Sequence, residues 1–341
     1  MDIKNIARKI ACNKKAVLFS LISVLFSILF VTIFTQSFST TLSDKIPASN
    51  IRIKVMDTYT RNFESYAGSS VKISTYRILE SMTQNRKNSG FYADFNNFNQ
   101  TFHDCMVCGQ FQCGVGPQCP SGDSGYDLKS RLDNIVSLSL SQLNIKTVYK
   151  INSVDIAQGY PFQVDVTVNI SYNVTDNSGG YYASWTRSSI IQQSVPIASL
   201  TDPLEYINSR GGYQVPVIQY TGPCQFNESC WSFQNTQAFY ESQQFRYYPN
   251  GTSFLQRYMN DTSPSNCCGI EHIMNATSIP GANVMGSFID RLYWNSAYQC
   301  NNNPGDIKIL NITLDSIGVS LDELTSSRYG VGSSGAQICP K

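Results

Sequence analysis

The sequence contains few of the residues that usually carry catalysis. Only two of its 341 residues are histidine, His103 and His272, and neither a His-Glu-x-x-His nor a Gly-x-Ser-x-Gly motif occurs. Zinc proteases of the first type and serine hydrolases of the second type are therefore not indicated. The spacing of Asp202 and Glu205 does not by itself place a carboxylate pair around a substrate bond.

One enzymatic alternative stays open, because Ser-His-Asp triads assemble across a fold and not along the sequence. A membrane-anchored hydrolase of surface glycans or peptides would require Glu271 and His272 to share a concave pocket with a nucleophile or carboxylate. Sequence neighbours on a strand or helix point in different directions, which disfavours that arrangement. The simpler interpretation is that His272 is a surface histidine beside a glycosylated loop.

Charged residues are also scarce, at 14% of the chain, and the net charge is only +1. The first fifteen residues hold five basic side chains and one acidic side chain, a net +4, which leaves about −3 for the rest. This distribution provides no basic surface for nucleic acid, so we expect no nucleic-acid partner.

Only one long apolar run occurs, from Ala16 to Phe34, and fifteen of its nineteen residues are apolar. A helix of about 20 residues spans the hydrocarbon core of a bilayer. The basic residues before the run favour a cytoplasmic N-terminus. We therefore expect residues 1–15 to form a cytoplasmic tail, residues 16–35 to contact the lipid bilayer as a single helix, and everything after them to lie outside the cell.

Two alternatives concern processing of this segment. A cleaved secretory signal would need a small-residue site after the apolar run, and the residues after Phe34 match such a site poorly. The sequence Lys14-Lys15-Ala16-Val17 resembles the class III signal of archaeal type IV pilins and archaellins. That resemblance implies cleavage between Ala16 and Val17 and a filament-forming apolar helix, although Leu21 stands where those pilins often have an acidic residue.

Two features beyond the apolar run indicate an exported protein. Eight Asn-x-Ser/Thr sequons occur there and none before it, which predicts a glycosylated surface. They begin at Asn99, Asn169, Asn173, Asn227, Asn250, Asn260, Asn275 and Asn311. Ten of the eleven cysteines also follow the run, an even number that predicts disulfides outside the cell. They are Cys105, Cys108, Cys113, Cys119, Cys224, Cys230, Cys267, Cys268, Cys300 and Cys339.

The first four of these cysteines allow a zinc site as an alternative, but oxidation competes outside the cell and we expect no metal. Because adjacent cysteines do not easily bond to each other, we expect Cys267 and Cys268 to reach different partners. Gly330 to Gly335 matches Gly-x-Gly-x-x-Gly by letters, but it lies outside any βαβ unit, so we expect no cofactor.

Periodicity predicts an α+β fold for residues 44–200. A long helix is predicted from Asp44 to about Arg86 with a bend or a short break near Gly68, where the apolar stripe changes phase. Phe91 to Ser124 is rich in asparagine, glycine and cysteine and is predicted to be an irregular, disulfide-linked loop. Asp127 to Leu143 is predicted to be a second helix.

The clearest pattern is the strict alternation of apolar and polar residues from Phe162 to Val174. It predicts a strand with one buried face and one solvent face, with the sequons of Asn169 and Asn173 on the solvent face. Lys146 to Val154 and Tyr181 to Gln193 are predicted to be neighbouring strands of an antiparallel sheet. An apolar stem, a helical extension and a sheet in this order resemble type IV pilin-like proteins.

Residues 201–341 are predicted to form a second, disulfide-rich and glycosylated α+β domain after a junction at Pro196 to Pro216. The segment from Phe254 through Gly269-Ile270-Glu271 to Asp290-Arg-Leu-Tyr293 resembles a segment of uncharacterised archaeal surface proteins with pilin-like stems. No activity is attached to that resemblance.

These observations favour a non-enzymatic cell-surface glycoprotein that acts as an adhesin or as a filament or envelope component. Expected partners are the bilayer, other copies of the chain or other pilus proteins, and glycans contacted by exposed aromatic residues. A ligand-binding receptor ectodomain is a further alternative.

Overall fold

The structure, a computed structural model, describes residues 26–30, 48–112, 127–178, 183–225, 228–279, 281, 286–295, 309–314, 317–331 and 336–337. The chain divides into two compact units, residues 1–57 and 58–341. All contacts discussed below lie within the second unit.

Most of the predicted membrane segment, including Ala16 and Val17, lies outside the described residues, and so does all of the predicted cytoplasmic tail, residues 1–15. Residues 26–30 are helical and exposed. Within the described ranges, no helix is long and apolar enough to cross a membrane.

Three helices precede the first sheet: α1 (Ala48–Asn85), α2 (Phe95–Gln112) and α3 (Leu128–Leu143). No break occurs near Gly68, because α1 continues through it. An added Cβ at Gly68 would come within 2.9 Å of the side chain of Gln193, which belongs to the sheet described below. The helix therefore tolerates glycine because close packing against the sheet offsets the low helix propensity.

The prediction of an irregular loop from Phe91 to Ser124 is wrong for its first half, which forms α2. Phe98, Phe102 and Met106 are fully buried and recur every four residues, the spacing of one helix face. Local composition masked this stripe. The prediction for α3 is confirmed: Asp127 caps it by accepting a hydrogen bond from the Ser130 backbone N–H, and Asn144 ends it in a left-handed conformation.

The first sheet is an antiparallel meander of β1 (Ile145–Tyr160), β2 (Gln163–Asp176) and β3 (Ser184–Pro196), with β2 in the centre. The predicted alternation is confirmed along β2, whose apolar positions are all buried between half-buried polar ones. The buried face packs against α1, where the Phe63 ring lies 5.1 Å from the Tyr172 ring. The solvent face carries a ladder of hydrogen-bonded Asn, Ser and Thr side chains.

The remainder of the chain combines short elements with two small antiparallel sheets. Strands β4 (Arg246–Thr252) and β5 (Ile270–Glu271) form one sheet, and β6 (Ile309–Leu314), β7 (Ile317–Asp322) and β8 (Ala336–Gln337) form the other in the order β7-β6-β8. The helices are α4 (Pro203–Asn208), α5 (Phe233–Ser242), α6 (Phe254–Arg257), α7 (Asp290–Tyr293) and α8 (Glu323–Arg328). Short 3₁₀ turns cover Glu228–Cys230 and Ala276–Ser278. The fold is thus a mixture of helices and antiparallel sheets, as predicted at that level.

Specific polar contacts join these short elements to α1. The Glu80 carboxylate accepts hydrogen bonds of 2.9 Å from both the backbone N–H and the hydroxyl of Thr201. The buried Tyr258 hydroxyl donates to the Leu79 carbonyl at 2.8 Å and accepts from the Thr83 hydroxyl at 2.9 Å. These contacts hold α6 and the start of α4 in fixed positions, and both helices contribute charged side chains to the core.

Candidate functional site

The first group of interest is a set of charged side chains with no solvent exposure, which we call the sealed cluster. Its members are Asp202, Glu205, Arg257, His272 and Asp290. Arg257 donates to the Asp202 carboxylate at 2.8 Å and to the Asp290 carboxylate at 2.5 Å. It also donates to the Ile270 carbonyl at 2.8 Å, so one guanidinium joins α4, β5 and α7 through α6.

Helix caps orient the members of the sealed cluster. Asp202 is the N-cap of α4 and accepts from the Glu205 backbone N–H at 3.0 Å, with Pro203 at the first helical position. Ser253 and Gln256 form a capping box at the start of α6, whose last residue is Arg257. Asp290 begins α7 and receives a 2.7 Å hydrogen bond from the Arg291 backbone N–H. Hydrogen bonds at the starts of short helices therefore position these charged side chains in the core.

His272 and Glu205 form a buried pair within this cluster. The His272 Nδ1 atom lies 2.9 Å from the Glu205 Oε1 atom, and the Phe245 ring lies 4.7 Å from the imidazole. Burial raises the pKa of Glu205 to about 7, although His272 opposes the rise. Burial likewise raises the pKa of Asp290, against the opposing effect of Arg257. The environment therefore favours proton retention on Glu205 and Asp290.

The second group, which we call the arginine cluster, consists of Arg246, Glu271, Arg291 and Arg328. The Glu271 Oε1 atom accepts from Arg328 at 2.7 Å and from Arg246 at 3.2 Å. The buried Tyr329 hydroxyl donates to the same oxygen at 2.6 Å. The Arg291 Nε atom lies 3.8 Å from Glu271 Oε2, which is an ion pair without a hydrogen bond. Three guanidinium groups thus surround one carboxylate.

The pKa of Glu271 is lowered, whereas that of Glu205 is raised. Burial alone would raise the pKa of Glu271, but Arg328, Arg246 and Arg291 outweigh it and lower the pKa to about 2. Glu271 is therefore ionised at any physiological pH. Aromatic rings line the guanidinium groups: Arg328 lies 4.0 Å from the centre of the Tyr248 ring, and Arg246 lies 4.7 Å from that of Tyr329.

The two clusters lie on opposite sides of one short strand segment. Glu271 ends β5 and points into the arginine cluster, whereas the next residue, His272, points into the sealed cluster. The hydrolase hypothesis required Glu271 and His272 to share a pocket, and the positions of their side chains contradict that requirement. The expectation of a surface histidine is also wrong, because His272 has no exposed surface. Its Nε2 atom has no hydrogen-bond partner among the described residues, so no described hydroxyl or thiol is in position to be activated there.

The cysteine predictions have mixed outcomes. Disulfides join Cys224 to Cys230 and Cys267 to Cys268, and Cys105 is also disulfide-bonded. The expectation that Cys267 and Cys268 reach different partners is wrong, because they lie in a tight turn with their sulfur atoms together against the Gln158 carbonyl. Cys113, Cys119, Cys300 and Cys339 lie outside the described residues, as does the side chain of Cys108.

Within the described chain, no group of three or more histidine, cysteine or acidic side chains is arranged to hold a metal ion. His103 belongs to neither cluster. It is half-exposed on α2, and its Nδ1 atom lies 3.1 Å from the neighbouring Asp104 carboxylate.

The sequons lie at accessible positions wherever their side chains are described. Asn250 and Asn260 are exposed, and four others, Asn99, Asn169, Asn173 and Asn275, are half-buried. Asn169 and Asn173 occupy the solvent face of β2, as their alternation predicts. Asn227 and the side chain of Asn311 lie outside the described residues.

Sequence reasoning missed most members of the two clusters. Arg246, Arg328 and Tyr329 carry no local motif, and Arg328 precedes a glycine-rich tail that resembles an unstructured end. One signal was present: the order Arg257, Gly269-Ile270-Glu271 and Asp290 in the segment that resembles archaeal surface proteins is the order of the cluster residues. Comparison of the chain with protein-family models, with curated proteins and with solved structures finds no match to any of them.

Proposed function

We propose that the protein is a non-enzymatic cell-surface glycoprotein, held in the membrane through residues 16–35, whose external part acts as an adhesin or as a filament or envelope component. The observation that carries the proposal is the position of the sequons. Of the six with described side chains, two are exposed and four are half-buried, in a chain whose sequons all follow the apolar run. Glycan addition requires such exposure.

Two further observations support an external location. Cys224 and Cys230 are disulfide-bonded, a state that persists in oxidising compartments. A long helix that packs its aromatic side chains against an antiparallel meander supports the pilin-like part of the proposal, in which α1 extends from the stem. A fold likeness of this kind does not itself specify function.

The sealed cluster supports a structural role for the charged residues over a catalytic one. A catalytic histidine must reach a substrate, and His272, Glu205 and Asp290 have no exposed surface. Buried ion pairs of this kind fix the relative positions of the elements that carry them, because breaking one leaves an uncompensated charge. The proposal therefore assigns the buried charges of this region to holding a loop-rich fold together.

Glycopeptide mapping of the protein from its native cells tests the proposal. We expect glycan mass on Asn169 or Asn173 and on Asn250, and none on Asn152, which lies among the same solvent-face residues without a sequon. A chain with all eight sequons unmodified, recovered from the soluble cell fraction, would contradict the proposal.

A further inference from the structure

The arginine cluster has more positive charge than its own carboxylate can balance. Among the described residues, the guanidinium groups of Arg246, Arg291 and Arg328 face one ionised carboxylate, that of Glu271. Buried charges are normally paired, because removal from water is unfavourable unless an opposite charge compensates. The sealed cluster on the other side of β5 has acidic groups in excess, yet Arg257 and the raised carboxyl pKa values there reduce the imbalance.

Two of the three guanidinium groups extend to the surface. The side chains of Arg291 and Arg328 are each 14% exposed, whereas those of Arg246 and Glu271 are 2% and 0% exposed. Within the described chain, Glu271 is the only carboxylate within ion-pair distance of Arg291 or Arg328. The Nε atoms of both arginines are buried without a hydrogen-bond partner. Solvent therefore reaches the exposed part of each side chain, and the buried Nε atoms hold further donor capacity behind it.

The helices that carry Arg291 and Arg328, together with the ring of Tyr248, hold these two side chains in place. Arg291 lies on α7 directly after Asp290, whose carboxylate is held by Arg257. Arg328 ends α8, which Asp322 caps by accepting from the Thr325 backbone N–H at 2.9 Å. Both guanidinium groups lie over the ring of Tyr248, at 5.9 and 4.0 Å from its centre. Their geometry is thus set before any ligand arrives, which lowers the entropic cost of binding.

We propose that Arg291 and Arg328 form a binding site for an oxyanion, a carboxylate, sulfate or phosphate group, at the surface of the arginine cluster. Planar guanidinium forks match the paired oxygen atoms of these groups and form charge-assisted hydrogen bonds with them. Arg246 and Glu271 act as positioning residues beneath the site, because Glu271 accepts hydrogen bonds from both Arg246 and Arg328. This proposal is independent of the cellular location proposed above.

The test is calorimetric titration of the full chain, solubilised in a neutral detergent, with sodium sulfate, sodium phosphate and sodium acetate at constant ionic strength against sodium chloride. We expect saturable binding of at least one oxyanion. R291Q and R328Q should each weaken it about tenfold, the loss of one charge-assisted hydrogen bond. R187Q, which removes an exposed arginine on β3, should leave binding unchanged.

The three salts distinguish the sources of the ligand. Binding of acetate alone assigns the site to carboxylates, such as acidic sugars or acidic side chains, whereas binding of sulfate or phosphate alone assigns it to tetrahedral anions. R291Q keeps the test decisive even if R328Q fails to fold, because Arg291 donates no side-chain hydrogen bond to Glu271. Absence of saturable binding beyond chloride, or equal binding by R291Q and wild type, would overturn the proposal.

Discussion

The sealed cluster and the arginine cluster are made from the same residue types and meet at adjacent residues, yet they are opposite in charge and access. The sealed cluster has three acidic side chains around Arg257 and His272, and none of its members is exposed. The arginine cluster has three basic side chains around Glu271, and two of them reach solvent. The comparison teaches that full burial restricts charged groups to holding elements together, whereas partial exposure leaves the guanidinium groups of Arg291 and Arg328 accessible from outside.

The largest expected effect comes from removing the central cation of the sealed cluster. R257M leaves Asp202 and Asp290 buried without their partner, which is expected to lower the free energy of unfolding by about 3–5 kcal/mol. R291Q, at the open edge of the arginine cluster, is expected to lower it by less than about 1 kcal/mol. Urea denaturation of both variants measures the difference. Equal effects would show that the two clusters do not differ as described.

The pH dependence of stability separates the two clusters next. Because the folded-state pKa of Glu205 is raised from 4.5 to about 7, the folded chain binds this proton more tightly than the unfolded chain does. The stability associated with Glu205 is therefore fully present below pH 4.5 and is lost as the pH rises through about 7.

E205Q removes this titration and keeps the shape of the side chain. Over that pH range, the stability of E205Q should rise relative to that of wild type by on the order of 2–3 kcal/mol. Thermal denaturation of the two proteins at a series of pH values provides the measurement. A pH-independent difference between them would contradict the assignment of a raised pKa to Glu205.

The arginine cluster has the opposite acid response. The folded-state pKa of Glu271 is lowered to about 2 from 4.5, so its stabilising contribution is present above pH 4.5 and is lost as the pH falls through 2. Y329F deletes one of the hydrogen bonds that lower this pKa, at a cost of about 2 kcal/mol at neutral pH. Y240F is the matched control, since the buried Tyr240 hydroxyl has no hydrogen-bond partner. If Y240F costs as much as Y329F, the contact with Glu271 contributes nothing.

The last comparison concerns the disulfides, which lie outside both clusters. Cys224 and Cys230 close a short loop, so replacing both with serine should cost roughly 2 kcal/mol. The adjacent pair Cys267 and Cys268 closes a smaller ring, and its replacement should cost roughly 1 kcal/mol. Melting temperatures of the two double variants, with and without reductant, give the comparison. A melting temperature that reductant leaves unchanged in wild type would contradict a stabilising role for the disulfides.

The first sheet and its flanking helices were predictable because their signals are local. Alternation from Phe162 to Val174 specifies which face of β2 is buried, and Asp127 and Asn144 mark the ends of α3. Helix α2 was missed because asparagine, glycine and cysteine dominate its surroundings, while the stripe of Phe98, Phe102 and Met106 is narrow. Tertiary burial of that stripe outweighed local composition.

The clusters were not predictable because their contacts join distant parts of the chain. Asp202 and Arg257 are separated by 55 residues, and Glu271 and Tyr329 by 58. Nothing in the spacing of such residues distinguishes an exposed charge from a buried one. The exception was the adjacency of Glu271 and His272, which correctly indicated that their side chains point in different directions.

The central claim is that residues 58–331 are presented outside the cell behind an apolar stem. The most direct test is the mass-spectrometric identity of the N-terminal peptide of the protein purified from its native cells. The account predicts a peptide that retains the apolar run, beginning at Met1 or Asp2 for a permanent anchor or at Val17 for class III processing. A chain that begins beyond Thr35 would mean a secreted protein and would contradict the proposed membrane stem.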